Sequence, residues 1–335
     1  MRAPFVSGTR SIEARQLLVL TIEDSEGNVG AGEAAPLPGY HEVSVEQVRV
    51  AIEDCRGTLE RAHRLDRLEL LAECERLAVL PEAVAAIDLA LWDLAGQQAG
   101  QPVWRLLGAS SGPPVQLNAT IAAIDRAGAA AAAAAASAQG FRCIKVKVGV
   151  GDDAGRLAAV RAAAGPACAL RIDANGAWSV DHAIASLRAL EPVGLELCEE
   201  PATGVEEIAA VARVAKVPVA MDESARVPGA LDRRHCQAVC LKIASCGGIT
   251  GLIDAARRAR AAGYSVYLAS TLDGPLGIAA ALHAAALVRP GLPCGLGTLA
   301  LFEDPQDPIP ATDGFVALPS GVGLGDGLRQ WYERR

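Results

Sequence analysis

Residues 140–149 read GFRCIKVKVG. Ile144, Val146 and Val148 alternate as in a buried strand, and Lys145 and Lys147 fill the positions between them. Residues i and i+2 of a strand project from one face, so both ammonium groups point the same way. Two like charges in so apolar a run need compensating negative charge nearby.

Working outward, short apolar runs recur at VQLNATI (115–121), CIKVKV (143–148), ALRID (169–173), LELCE (195–199), VPVAMD (217–222), AVCLKI (238–243), SVYLAS (265–270) and PCGLG (293–297). Helical, alanine-rich sequence separates each neighbouring pair, including the run AGAAAAAAAASAQG, which reads as an ordinary helix. Strand-helix units repeating about every 20 to 30 residues predict an α/β fold, a TIM-like (β/α) barrel over residues 113–310. Gly112, Pro113 and Pro114 mark its start. Residues 1–112 predict an α+β capping domain, with strands in ARQLLVLTIED and GNVGAGEA and helices in SVEQVRVAIEDC and PEAVAAIDLALWDLAGQQ. Residues 311–335 hold glycine-rich turns and no further unit, and are expected to return to the capping domain.

A chain of 335 residues with 51% hydrophobic and 21% charged residues has ample material for a core. Its net charge of −8 argues against general affinity for nucleic acid or anionic membrane, and leaves room for a local cationic site binding a small carboxylate. No apolar stretch is long enough for a membrane helix and the N-terminus lacks a signal-peptide core, so a cytoplasmic location is expected. The nine scattered cysteines suit reduced, buried thiols, and Cys236 and Cys240 match no common zinc spacing. The five histidines never fall at i, i+2 or i, i+4, so any metal is expected on carboxylates, which select magnesium or manganese. Self-association into a homo-oligomer is left open.

Active sites of such barrels form at the C-terminal strand ends. There the sequence places Lys145 and Lys147 on the second strand, Asp173 and Asn175 on the third, and Glu199 and Glu200 on the fourth. Asp222 and Glu223 end the fifth, Lys242 the sixth, and Ser270 and Thr271 the seventh. Asp173, Glu199 and Asp222 would converge and repel one another unless a divalent cation joined them. Lys147 and Lys242, four strands apart, would face each other as base and acid, or as base and electrostatic stabiliser. Crowding by Lys145 and partial burial would lower a lysine pKa, and Lys145 could instead bind a substrate carboxylate. Alternation along the strands sends Glu200 and Glu223 behind the metal ligands.

The order KVKVG, RIDANGAW, CEEP, MDES, CLKIASCGGI resembles the enolase superfamily, in its muconate-lactonizing-enzyme branch. GAGEAAPLPGY and AAIDLALWDLAGQQAGQPVWRLLG resemble the capping domain of that branch. The resemblance implies Mg²⁺ ligands at Asp173, Glu199 and Asp222, acid/base lysines at Lys147 and Lys242, and abstraction of a proton α to a carboxylate through an enediolate. Within the branch, LPGYHEVSVE, Ser270 with Thr271, and CGLGTLAL are most similar to the o-succinylbenzoate synthases, lyases of menaquinone synthesis. That likeness implies substrate contacts at Ser270 and Gly295. Muconate lactonization usually goes with a glutamate where this chain has Asp273, and dipeptide epimerases with an Asp-x-Asp where it has CGLGT. The resemblance keeps an isomerase acting on N-acylamino acids or dipeptides as the alternative, and a non-catalytic binding protein as a remote one. It also implies that MRAPFVSGTRS is a mobile loop over the site, normally preceded by a further strand that this sequence lacks.

Overall fold

The computed structural model describes every residue except 3, 8, 9, 39, 41, 62–65, 123, 150, 304, 305 and 335. Gly39 and His41 of LPGYHEVSVE, and Ala3, Gly8 and Thr9 of MRAPFVSGTRS, therefore lie outside the described residues.

The chain opens with an antiparallel pair, β1 (Phe5–Ser7) and β2 (Arg10–Ile12). A second pair, β3 (Leu18–Glu23) and β4 (Val29–Ala34), packs against helices α1 (Val45–Asp54), α2 (Arg56–Glu60), α3 (Arg67–Ala78) and α4 (Pro81–Ala99). Local chemistry sets the helix ends. Ser44 with Gln47 and Asp66 with Glu69 form capping boxes, and Pro81 and Gly100 bracket α4. The glycines of GNVGAGEA have a steric reason, since a Cβ on Gly32 would lie 1.9 Å from the Ala86 carbonyl oxygen of α4. A short α5 (Val103–Leu106) leads to the barrel.

The barrel strands are β6 (Ala119–Ile121), β7 (Cys143–Lys147), β8 (Ala169–Asp173), β9 (Leu195–Glu199), β10 (Val219–Met221), β11 (Ala238–Lys242) and β12 (Ser265–Ala269), preceded by β5 (Val115–Gln116). They form a seven-stranded parallel sheet in sequential order. Helices α6 (Arg126–Ala138), α7 (Asp153–Ala164), α8 (Val180–Leu190), α9 (Val205–Val214), α10 (Gly248–Ala261) and α11 (Pro275–Val288) surround it. The alanine run forms α6, capped by Asp125.

Two expectations need correction. The eighth strand, anticipated over 293–297, is reduced to two bridging residues, Cys294 opposite Leu117 and Gly295 opposite Ala269. These still join the sheet edges, because Cys294 N donates to Gln116 O at 2.8 Å and Gly295 N to Leu268 O at 2.8 Å. Pro293 has no N–H to donate, and glycine has little strand preference. The fifth unit also lacks its α-helix. Between β10 and β11 the chain makes one 3₁₀ turn (Glu223–Arg226) and then irregular turns, starting at Pro228 and Gly229, which break helical continuity.

The last segment does two things. Its strands β13 (Ala311–Thr312) and β14 (Phe315–Val316) pair with each other, and β14 adds to β5 at the barrel entry. Beyond them, Leu324 N donates to Asp93 of α4 at 2.8 Å, and Tyr332, in α12 (Gln330–Glu333), bonds Glu33 of β4. No helix among the described residues is long and apolar enough to cross a membrane. All nine cysteines are free, and eight are buried.

Candidate active site

Strand register builds the site. Lys147 of β7 pairs with Asp173 of β8, and Asp173 with Glu199 of β9, so three functional residues share one row. Each ends an apolar strand whose other residues fill the core, which fixes its height at the barrel mouth. Asp173 and Glu199 are fully buried, and Lys145, Lys147, Asp222 and Lys242 nearly so.

The two lysines of β7 share a face because they share acceptors. Lys145 Nζ donates to Asp173 Oδ2 at 3.0 Å and to Glu199 Oε1 at 2.8 Å. Lys147 Nζ donates to the same Asp173 oxygen at 2.6 Å and to Asn175 Oδ1 at 2.9 Å. Across the sheet, with β8, β9 and β10 between, Lys242 Nζ donates to Asp222 Oδ2 at 2.7 Å. For Lys145 and Lys242 this arrangement runs against the expectation of a lowered lysine pKa. Burial depresses Lys145, but Asp173 and Glu199 outweigh it and hold the ammonium well above its ordinary value. Asp222 does the same for Lys242. Opposite charge at hydrogen-bond distance is stronger here than cation crowding.

Glu199 and Asp222 bring oxygen donors close enough together to suit a hard divalent cation. Burial and the charges of Asp173 and Asp222 push Glu199 upward against the pull of Lys145, the signature of acids sharing too little positive charge. Donor atoms of Glu199 and Asp222, with Cys240 Sγ, lie within 4.8 Å of one another. Burial and the neighbouring acids drive the Cys240 thiol far up, so the oxygens and not this sulfur are the available donors. Asp173, Glu199 and Asp222 together would offer the all-oxygen set that magnesium prefers.

The remaining expected residues divide. Ser270 and Gly295 line the pocket above the lysines, and Ser270 Oγ lies 2.6 Å from Thr298 Oγ1. Thr271 also lines it, but its hydroxyl turns away and donates to Asp273 Oδ1 at 2.6 Å. Asp273 is fully buried and absent from the pocket lining. Glu200, in left-handed backbone at φ 40°, accepts from Asp222 N at 2.7 Å and Ser224 N at 2.9 Å, bracing the Asp222 turn from behind. Glu223 accepts from Asn175 Nδ2 at 2.9 Å.

Sequence reasoning missed Tyr40, Tyr267, Thr120 and Thr298. Tyr40 reaches down from the capping segment. Its hydroxyl donates to Asp222 Oδ1 at 2.8 Å, and its ring centroid lies 3.9 Å from Lys242 Nζ. Tyr267 donates to Glu199 Oε2 at 2.6 Å from inside the barrel. Its position two residues before the end of β12, in phase with the inward strand face, was the available signal. Nothing local marked Tyr40.

The family model "Enolase C-terminal domain-like" matches residues 128–330, and "Mandelate racemase / muconate lactonizing enzyme, N-terminal domain" matches residues 1–108. The chain belongs to the enolase superfamily, in its muconate-lactonizing subgroup. Within that superfamily it is 27% identical over 354 residues to a D-Ala-D/L-Ala epimerase of Cytophaga hutchinsonii, covering 99% of this chain and 94% of the relative. It is 38% identical over 247 residues to an o-succinylbenzoate synthase of Mycobacterium tuberculosis, covering 66% of this chain and 73% of the relative. Among solved structures, a dipeptide epimerase from Cytophaga hutchinsonii complexed with Mg and D-Ala-L-Val superimposes with a TM-score of 0.89 at 28% identity, covering 98% of this chain and 94% of that one. Membership makes this an enzyme of a superfamily whose relatives include both isomerases and lyases.

Proposed function

We propose that this protein is a Mg²⁺-dependent lyase of the o-succinylbenzoate synthase type, which removes a proton α to a carboxylate and eliminates water from a succinylated cyclohexadiene carboxylate. The observation that carries this reading is the charge of the pocket wall. Among the described lining residues, Phe5, Ile12, Leu37, Leu272, Thr298 and Leu301 form a wall without an acid. The one carboxylate in the described lining, Asp222, is already engaged by Tyr40 and Lys242. A free ammonium, such as the end of a dipeptide, would find no counter-ion there and would lose hydration without repayment. The methylenes of a succinyl chain suit the apolar wall, and its terminal carboxylate can accept from the Ser270 and Thr298 hydroxyls.

Asp173, Glu199 and Asp222 would hold the cation. Bound there, it would supply positive charge to the substrate carboxylate as the α-carbon loses its proton. Lys147 is the base, oriented by Asn175 and Asp173. Lys242, on the opposite side, stabilises the developing enolate while Tyr40 holds its position. Lys145 stays an ammonium between Asp173 and Glu199 and keeps both carboxylates in place. Incubation with the cyclohexadiene substrate and Mg²⁺ should yield the aromatic o-succinylbenzoate, followed by its absorbance. A rate equal to that of buffer overturns the reading.

A second reading is supported by the placement of the lysines on opposite sides of the pocket, which suits racemisation of an N-acylamino acid with one proton transfer at each face. It predicts exchange of the α-hydrogen in D₂O from both enantiomers of an N-succinylamino acid, lost in Lys147→Ala and in Lys242→Ala. Absence of exchange from both enantiomers would remove it.

A further inference from the structure

Arg15, between β2 and β3, does not line the pocket, yet its guanidinium touches two of the pocket's walls. Nη1 donates to Pro36 O at 2.7 Å, Nη2 to Ala35 O at 3.0 Å and Nε to Leu272 O at 3.3 Å. Pro36 leads directly into Leu37 and Tyr40, which face the substrate space from the capping domain. Leu272 ends the stretch Ala269 to Leu272, which faces it from the barrel. Arg15 itself continues the chain from β2, whose Ile12, with Phe5 of β1, forms a third wall.

The contact is built for a guanidinium. Three carbonyl oxygens arrive from two separate segments, and a planar fork meets each with its own nitrogen, whereas an ammonium would have to reach all three from one. Glu33 and Asp273 lie close enough to act on its charge, and both are buried. Glu33 in turn accepts from Gly274 N at 2.7 Å and Gly277 N at 3.2 Å, which ties this junction to the start of α11 and the seventh loop.

We propose that Arg15 is a positioning residue that holds the β1–β2 pair, the 35–38 segment and the 270–272 loop in one register, and so shapes the substrate space between them. Through Leu37 and Tyr40 its effect extends to Asp222, which accepts the Tyr40 hydroxyl. The inference rests on the pocket being the substrate site.

The test is Arg15→Lys, which keeps a cation beside Glu33 and Asp273, with Arg15→Gln as a second variant that keeps donors without charge. Hydrogen exchange needs no substrate, and in Arg15→Lys it should quicken by about tenfold, together, in residues 10–12, 35–38 and 270–272, with α4 unchanged. With whichever substrate the wild-type enzyme turns over, KM should rise about tenfold while kcat stays within about threefold, the mark of lost binding-site organisation. Quickening confined to residues 13–17, or a fall in kcat at constant KM, overturns the proposal. If the wild-type enzyme turns over neither proposed substrate, the function assigned above fails, and the exchange pattern still decides the role of Arg15.

Discussion

Two places in this protein bury groups of acids, and they dispose of the charge differently. At the barrel mouth, Asp173, Glu199 and Asp222 face three lysine side chains within 3.0 Å. At the junction of the capping sheet with α11, Glu33 and Asp273 meet backbone amides, the Tyr332 hydroxyl and the more distant Arg15. Burial and Asp273 push Glu33 up to about 7, and burial likewise raises Asp273. Against burial, Lys145 and Lys147 hold Asp173 below its ordinary value, while burial and the acidic neighbours push Glu199 up, so a cation bound at the mouth would relieve the remaining repulsion. Acids opposed mainly by dipoles lean toward protonation, which suits a junction that only has to hold.

The sharpest test of this contrast lies at the mouth. Lys147→Ala and Lys242→Ala should each lower turnover by about 10³-fold, in line with the loss of a general acid or base, while calorimetry finds Mg²⁺ binding retained. Loss of metal binding in Lys147→Ala would mean that this lysine organises the acids and does not serve as the base.

Asp222→Asn, which removes one charge from the mouth, should weaken Mg²⁺ binding by about 100-fold in a calorimetric titration. It should also remove the metal-induced rise in Tm, which for the wild-type protein is worth about 2.7 kcal/mol at a hundredfold excess over Kd. An unchanged affinity would take Asp222 out of the ligand set.

The junction should instead announce itself through pH. With its native pKa raised above the unfolded value of 4.5, Glu33 binds more protons folded than unfolded. Its contribution is fully present below pH 4.5 and is lost as pH rises through about 7. The linked change is about 3 kcal/mol. Chemical denaturation across this window should therefore show a smaller pH slope in Glu33→Gln than in wild type. Equal slopes would mean that the junction acids are ionised and neutralised like those at the mouth.

Smallest of these effects is that of Tyr40→Phe, which keeps the ring against Lys242 but removes the donor to Asp222. Loss of a hydrogen bond to a charged group should cost about tenfold in kcat/KM. Tyr40→Leu, which removes the ring as well, should cost more, and equal losses would assign the whole effect to the hydroxyl.

The barrel was legible because its strands are apolar runs of the right length and spacing, each ending in a polar residue at a predictable height. ALRID and LELCE became β8 and β9 over the anticipated residues. PCGLG read as a strand by position in the repeat, but its proline and glycines left only two bridging residues. The fifth helix failed for a similar reason, since periodicity implied a unit that VPGALDRRHCQ cannot form. The directions for Lys145 and Lys242 were misjudged because strand ends bring the acids to the mouth without giving the hydrogen-bond distances at which they outweigh burial.

By itself, then, the sequence determined which residues end the strands, and so which acids and lysines meet at the mouth. That follows from local periodicity and from a fold whose strand order is the chain order. Only the tertiary structure decided what covers them. Tyr40 over Lys242 and the three carbonyls on Arg15 join segments from separate parts of the chain. Such contacts depend on how the capping sheet docks on the barrel, and no repeat or spacing encodes that docking.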